Sequence, residues 1–175
     1  SINLPGIADI DNDGDIDILS YGSGGTRLVY HENISNCGLD YKVSSTCFGR
    51  FQESAFWRAL GLGACTVGKN EATLHSGSTI TPADINGDGL IDLFAGNLNW
   101  PNITTAYNGG YPDTAIFTSQ DTLYPSAGKT IDVLNFPGVY IEDGNSDGRK
   151  DIFVSPFERN LGIADNNSVW YYENT

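Results

Sequence analysis

Short apolar runs follow three acidic segments of the chain in the same order each time. The acidic segments span residues 9–17, 84–92 and 143–151, and each is followed directly by two apolar residues. Runs rich in β-branched and aromatic residues, bounded by turn residues, are typical of strands. The pattern therefore predicts three units, each composed of a strand, an acidic loop, a strand, a turn and a further strand, and the fold class is all-β.

The third strand of each unit has a weaker sequence signal. Residues 27–33 and 168–174 resemble each other well, and residues 115–120 are predicted to be the middle copy. Only residues 53–60 have a briefly helical pattern, which Gly61 ends.

The spacing of the units predicts one repeat domain of 175 residues. The acidic loops begin 75 and 59 residues apart, close to the length of one four-stranded blade of a β-propeller. The predicted division is repeat A at 1–33, a cysteine-containing insertion at 34–78, repeat B at 79–135 and repeat C at 136–175.

The charge of the chain excludes two classes of partner. There are 22 acidic and 9 basic residues, which give a formal net charge of −13. A chain of this charge is repelled by nucleic acid and by anionic lipid, so no nucleic-acid partner is expected. No run of 18 apolar residues is present, so no membrane insertion is expected either. Because the chain starts within a repeat at Ser1, we expect a mature or proteolysed segment.

Each acidic segment has the pattern D-x-[DN]-x-D-G-x-x-D, which is suited to a hard cation. Side-chain oxygens at positions 1, 3, 5 and 9 and a main-chain carbonyl at position 7 can surround one ion, and glycine at position 6 permits the sharp turn. The side-chain ligands are predicted to be Asp9, Asp11, Asp13 and Asp17; Asp84, Asn86, Asp88 and Asp92; and Asp143, Asn145, Asp147 and Asp151. The residues at position 7 are Asp15, Leu90 and Arg149.

Calcium is the predicted cofactor, with about three ions per chain. A flexible cage of oxygens suits Ca²⁺ better than Mg²⁺, and no histidine or cysteine lies in a loop to favour zinc or copper. Three Ca²⁺ ions would change the formal charge from −13 to −7. The alternative is that the loops are solvated turns, but three copies in register favour metal binding. An EF-hand is excluded, because Ser20, Ala95 and Val154 occupy position 12 and the flanks are strands.

The three cysteines, Cys37, Cys47 and Cys65, lie together in the predicted insertion. Their spacing does not fit a zinc site, so we expect one disulfide in an extracellular protein. Cys47–Cys65 is the favoured pair and Cys37–Cys47 is the rival.

The loops and the strands that follow them resemble the FG-GAP or VCBS-type repeats of integrin α-subunits and of secreted bacterial cell-surface proteins. The resemblance covers about half of the chain. It implies a β-propeller with calcium in its hairpin loops, and a role in adhesion, ligand binding or scaffolding. Family propellers have about seven blades, whereas this chain has material for about three. The chain is therefore expected either to belong to a larger propeller or to associate with other protein chains.

Catalysis is not expected, since the histidines have no clear partners and the glycines of residues 22–25 indicate a turn rather than a phosphate loop. The first functional hypothesis is a structural or adhesive role at the cell surface, including fibre-like assembly. The alternatives are a glycan-binding module that uses the aromatic residues of 97–124, and an accessory propeller of a polysaccharide-degrading enzyme. Candidate glycosylation sites are Asn33, Asn102, Asn166, Thr114 and Thr122.

Overall fold

The computed structural model describes residues 2–35, 37–54, 57–63, 65, 77–133, 136–156 and 168–175. The fold is all-β, as predicted. Fourteen strands are present in this part of the chain: β1 (Ile2–Leu4), β2 (Gly6–Ala8), β3 (Asp17–Tyr21), β4 (Leu28–Asn33), β5 (Tyr41–Phe48), β6 (Phe51–Gln52), β7 (Gly61–Leu62), β8 (Gly77–Ala83), β9 (Asp92–Asn97), β10 (Ile103–Asn108), β11 (Phe117–Asp121), β12 (Gly138–Glu142), β13 (Asp151–Ser155) and β14 (Trp170–Tyr172). The described residues of 53–60 are not helical.

The strands form three larger sheets, none of them closed, and one small hairpin. The N-terminal sheet has the order β2-β3-β4-β5, the middle sheet β1-β8-β9-β10-β11 and the C-terminal sheet β12-β13-β14. Neighbours that follow one another in the chain are antiparallel, whereas β1 joins β8 in parallel. Strands β6 and β7 form the hairpin.

Two strands lie in sheets that their sequence position did not predict. Strand β5 falls within the predicted insertion, yet it pairs with β4 as the fourth strand of the N-terminal sheet. Strand β1 falls within repeat A, yet it lies at the edge of the middle sheet. Both pairings join segments whose partners are set by tertiary packing rather than by local pattern.

The predicted middle copy of the third strand was wrong. The structure gives that position to β10, because β10 pairs with β9 as β4 pairs with β3. Residues 117–120, which lie in the predicted third strand, belong to β11, the fourth strand of the middle sheet. The register of β10 places Ala106 opposite Leu93, just as His31 lies opposite Ile18 in the N-terminal sheet.

The middle sheet is covered on both sides, and every residue of β9 is buried. Its two faces belong to separate hydrophobic cores. The first core joins it to the N-terminal sheet and includes Leu19, Leu28, Tyr30, Ile80, Leu93, Ala106 and Phe117. The second core joins it to the C-terminal sheet and includes Phe94, Ile103, Ile131, Val139 and Val154. The sheets therefore stack in chain order.

Glu53 provides a further connection between the N-terminal and middle sheets. The carboxylate of Glu53, which is buried, accepts hydrogen bonds from Tyr21 of β3 and from Ser78 and Asn97 of the middle sheet. Burial and the neighbouring Glu53 carboxylate raise the pKa of Tyr21 well above its usual value, so the phenol remains a donor.

The predicted Cys47–Cys65 disulfide is confirmed, which excludes the rival pair, and Cys37 is free and exposed.

Candidate metal sites

The three acidic loops occupy the same place in the three sheets. Each connects the first strand of its sheet's antiparallel meander to the second: β2 to β3, β8 to β9 and β12 to β13. The predicted order of strand, acidic loop and strand is therefore confirmed for all three units. Because the connected strands are hydrogen-bonded neighbours, each loop is the turn of a long hairpin.

The aspartate at position 9 is fully buried in every loop and anchors it to the sheet. These anchors are Asp17, Asp92 and Asp151. Oδ2 of each accepts a hydrogen bond from the main-chain N–H at position 2, over 3.0 Å, 3.1 Å and 3.1 Å respectively. Oδ1 accepts from the N–H of an asparagine at the end of the third strand or two residues after it, over 2.8 Å, 2.7 Å and 2.9 Å. One carboxylate thus connects the loop, the second strand and the third strand.

The asparagines that contact these anchors are Asn33, Asn108 and Asn174. The Oδ1 atom of Asn33 accepts from the N–H groups of Ser35 and Asp40. In the middle sheet Asn108 accepts in the same way from Gly110 and Ile116. In these two sheets the asparagine therefore stabilises the turn into the fourth strand, and it belongs to the repeat although the motif in the loop does not contain it.

The aspartate at position 1 fixes the other end of each loop. Its Oδ2 accepts a hydrogen bond from the glycine N–H at position 6; the three pairs are Asp9–Gly14 (3.1 Å), Asp84–Gly89 (3.0 Å) and Asp143–Gly148 (2.9 Å). The three glycines have φ of 97°, 84° and 87°. This is the left-handed region that an L side chain adopts at a cost. The predicted need for glycine at position 6 is confirmed.

Position 4 is also left-handed in all three loops, a constraint that the motif does not reveal. Asn12, Gly87 and Ser146 have φ of 65°, 78° and 64°. The residues at positions 3 and 5 then turn their Oδ1 atoms back towards the main chain. Each accepts the N–H two residues further on, over distances of 2.8–3.2 Å. The predicted ligand oxygens are therefore held within one coil of backbone.

The N-terminal loop has the densest group of carboxylates. Oxygen atoms of Asp9, Asp11 and Asp17 lie within 4.8 Å of one another, close enough to share a metal ion. The Oδ1 atoms of Asp9 and Asp15 are buried and accept no hydrogen bond. A buried anionic oxygen without a donor is costly, and a cation would satisfy it.

The pKa values of two aspartates reflect the close spacing of carboxylates in this loop. Partial desolvation raises the pKa of Asp11, and the charges of Asp13 and Asp17 raise it further. The pKa of Asp15 is also raised, by desolvation and then by the neighbouring carboxylates, of which Asp13 has the largest effect. Like charges at short range make each further ionisation less favourable. The loop therefore has a net attraction for positive charge.

The other two loops have fewer carboxylates and more internal partners. In the middle loop Asn86 Nδ2 donates to Asp88 at 2.9 Å, and burial raises the pKa of Asp92. In the third loop the Arg149 guanidinium contacts Asp147 at 2.8 Å. Hydrogen bonding from the main-chain N–H of Arg149 is the main cause that lowers the pKa of Asp147. The three loops share one backbone design but not one charge.

No protein-family model, curated protein or solved structure matches the chain. The resemblance to FG-GAP or VCBS-type repeats therefore stays a prediction. Within the described ranges, no helix is long and apolar enough to cross a membrane.

Two tyrosines next to the loops were missed by the sequence motif. The Tyr30 hydroxyl donates to both Asp11 and Asp17 at 3.0 Å, and the Tyr171 hydroxyl donates to Asp151 at 2.8 Å. Hydrogen bonding to Asp151 is the main cause that raises the pKa of Tyr171 to about 12. The signal in the sequence is a tyrosine three residues before the repeated asparagine. In the middle sheet Thr105 takes this position, which explains why the middle copy was assigned incorrectly.

The aromatic residues of 97–124 are divided between packing and exposure. Tyr124 packs on Phe94 in the second core, with ring centroids 5.2 Å apart, and Arg58 lies 5.3 Å from the Trp100 ring. Tyr111 is exposed. Tyr124 therefore contributes to packing between the middle and C-terminal sheets, whereas Tyr111 faces solvent.

Two of the predicted glycosylation sequons contain buried asparagines. The Asn33 and Asn102 side chains are buried, and their Nδ2 atoms donate to the carbonyls of Gly38 and Ile131. A glycan on either nitrogen would require these contacts to break. Asn166 lies outside the described residues, and Thr114 is exposed.

Residues 144–148 also match the G-x-S-x-G pattern of hydrolase nucleophile elbows. In an elbow the serine lies between a strand and a helix. Here Ser146 lies in the hairpin between β12 and β13, where its left-handed φ is shared by Asn12 and Gly87 of the other loops. Ser146 thus has the backbone conformation of position 4 in the acidic loops and not that of a nucleophile elbow.

Proposed function

We propose that the chain is an extracellular calcium-binding repeat protein with a structural or adhesive role, not a catalytic one. Its three stacked sheets would be blades of β-propeller type, each with one Ca²⁺ ion in its first hairpin. The stacking in chain order and the meander of each larger sheet support this architecture.

The observation that carries the proposal is the shared scaffold of the three loops. The same main-chain N–H groups contact the side chains at positions 1, 3, 5 and 9 in all three copies. A solvated turn has no need to hold four acidic or amide side chains in one arrangement. In the N-terminal loop the arrangement includes a buried oxygen of Asp9 without a donor. Oxygen ligands in a flexible loop favour Ca²⁺ over smaller or softer ions.

Calcium would act mainly on stability. By neutralising the clustered carboxylates it would remove their mutual repulsion, and through the position-9 anchor it would stiffen the loop together with the second and third strands. A ligand that binds only the folded state stabilises it by RT ln(1 + [L]/Kd), about 2.7 kcal/mol at a hundredfold excess over Kd. Three such ions would therefore make the folded state considerably more stable than that of the metal-free chain.

An extracellular location is supported by the Cys47–Cys65 disulfide. Disulfides persist in oxidising compartments and are rare in the cytosol. Extracellular fluids also contain enough Ca²⁺ to fill sites of modest affinity.

Thermal unfolding tests the proposal. We expect Tm to rise when CaCl2 is added to protein treated with EDTA, and to rise much less with MgCl2. Asp9→Asn should reduce the calcium response, whereas Asp132→Asn, at an exposed aspartate outside the loops, should leave it unchanged. A Tm that is the same in EDTA and in calcium would contradict the proposal.

A further inference from the structure

The three stacked sheets use the same two faces in the same way. We call the side of a sheet that contacts the next sheet in the chain its forward face, and the opposite side its rear face. In each sheet the anchor aspartate begins the strand after the acidic loop. The residue two positions after the anchor lies on the forward face; these residues are Leu19, Phe94 and Phe153. The residue one position after the anchor lies on the rear face; these residues are Ile18, Leu93 and Ile152.

The contacts within the chain establish this assignment. Leu19 on the forward face of the N-terminal sheet and Leu93 on the rear face of the middle sheet belong to the first core. Phe94 on the forward face of the middle sheet packs in the second core with Ile152 of the C-terminal sheet. In addition, Thr81 on that forward face donates to the Val139 carbonyl at 2.8 Å. One kind of interface, forward on rear, thus occurs twice.

Among the residues that the structure describes, two faces of this kind have no sheet against them, one at each end of the stack. The forward face of the C-terminal sheet has an aromatic row across its three strands, Tyr140, Phe153 and Tyr171. The rear face of the N-terminal sheet has a row of Ile7, Ile18, His31 and Val43.

Residues at equivalent positions in the repeats differ in exposure according to whether another sheet covers them. Tyr30 and Tyr171 have the same position in their repeats and the same bond to the anchor aspartate. Tyr30, which the middle sheet covers, is 1% exposed, whereas Tyr171 is 46% exposed. On the rear side Pro82 of the middle sheet is buried against the N-terminal sheet, while Ile7 in the same position is 63% exposed. Exposed apolar rows of this extent are typical of interaction surfaces.

We propose that the forward face of the C-terminal sheet binds the rear face of the N-terminal sheet of a second copy. The two uncovered faces are the two halves of an interface that the chain already forms twice, so a second copy continues the stack with the same contacts. This inference rests on the structural role proposed above, and it names the partner as the chain itself. Because the contact joins different faces, it is head-to-tail, and repetition gives either a closed ring or an open filament.

Paired variants at the two faces test the proposal in calcium-containing buffer by light scattering coupled to size-exclusion chromatography. The wild-type chain should form oligomers whose mass rises with concentration. Val43→Asp alters the rear face and Tyr140→Asp the forward face, at side chains that are 55% and 60% exposed. Each variant alone should be a monomer. Their mixture should form a one-to-one complex, because each supplies the face that the other has lost.

The controls separate assembly from folding and from metal binding. Leu98→Asp, in the exposed turn after β9, should assemble as the wild type does. Ile7→Asp serves as a second rear-face variant if Val43→Asp changes the circular dichroism spectrum. Calcium titration of the Tyr140→Asp monomer reports on the loops independently of assembly. A wild-type chain that is monomeric at millimolar concentration would overturn the proposal, as would a mixture of the variants that stays monomeric.

Discussion

Within each acidic loop the aspartates have two different environments. The position-9 residue is buried among main-chain donors, whereas the position-5 residue is exposed in all three loops. The first kind stabilises the fold whether or not a metal is bound. The second kind would contribute mainly through the proposed metal ion. The two contributions can therefore be separated by measuring stability with and without calcium.

Asp17→Ala and Asp13→Ala form a matched pair for this separation. In EDTA, Asp17→Ala removes the acceptor of the Ile10 and Asn33 N–H groups. We expect the free energy of unfolding to fall by about 1–3 kcal/mol for each buried donor left unsatisfied. Asp13→Ala should change it by less than about 0.5 kcal/mol, since Asp13 is exposed. Urea denaturation provides the measurement, and equal losses for the two variants in EDTA would show that the anchor has no special role.

The backbone at position 6 of each loop has a conformation that is strained for any residue with a side chain. Gly14 has φ of 97°, and a Cβ placed there would meet no atom within 4 Å. Gly14→Ala should therefore cost only the left-handed backbone, about 1–2 kcal/mol of unfolding free energy. Gly24→Ala, in the exposed turn between β3 and β4, is the control and should be close to neutral. If both substitutions were neutral, the loop would not need its left-handed turn.

At the scale of the elements, the asparagine at the end of the third strand joins two hairpins. Asn108→Ala would leave the N–H groups of Gly110 and Ile116 without their acceptor. We expect faster hydrogen exchange at these two amides than in the wild type, because the turn into β11 opens more readily. The amides of Leu93 and Phe94 in β9 should keep their protection. Unchanged exchange at Gly110 and Ile116 would contradict the role given to Asn108.

The Cys47–Cys65 disulfide fixes β5 to the segment that follows β7. Its two cysteines are 18 residues apart in sequence. Chain entropy assigns about 3 kcal/mol to a loop of roughly this length. The double variant Cys47→Ser, Cys65→Ser should lose about that much in guanidinium denaturation. Cys37→Ser is the control, since Cys37 is free and exposed, and a loss of similar size there would mean that Cys37 also takes part in a bond.

The sequence predicts those features that are local and repeated. The loop motif specifies Gly14 and its counterparts, the strands beside them and the all-β class, because each depends on residues close in the chain. The contact between Asp92 and Asn108 joins residues that are 16 apart in sequence. In addition, the middle copy has Thr105 at the position where the other two copies have a tyrosine. The prediction of the third strand in the middle sheet is therefore wrong. The pairing of β1 with β8 spans 75 residues and leaves no local pattern.

For the whole molecule, the order of the sheets follows from what each face can bury. Both faces of the middle sheet are apolar, so it lies between its neighbours, and Glu53 adds a hydrogen-bonded link on the N-terminal side. Within the described part of the chain the end sheets each have one face with exposed apolar side chains, which is the basis of the proposed head-to-tail assembly. Three loops at equivalent places in this stack would make the proposed metal binding a property of the whole array.

The number of calcium ions bound per chain decides whether the three acidic loops are metal sites. Native mass spectrometry of protein treated with EDTA and then given CaCl2 counts them, with MgCl2 as the matched control. We expect three Ca²⁺ ions per chain, and two after Asp9→Asn and Asp11→Asn are combined, because only the N-terminal loop is then disabled. A chain that keeps the mass of the bare polypeptide in calcium would contradict this expectation.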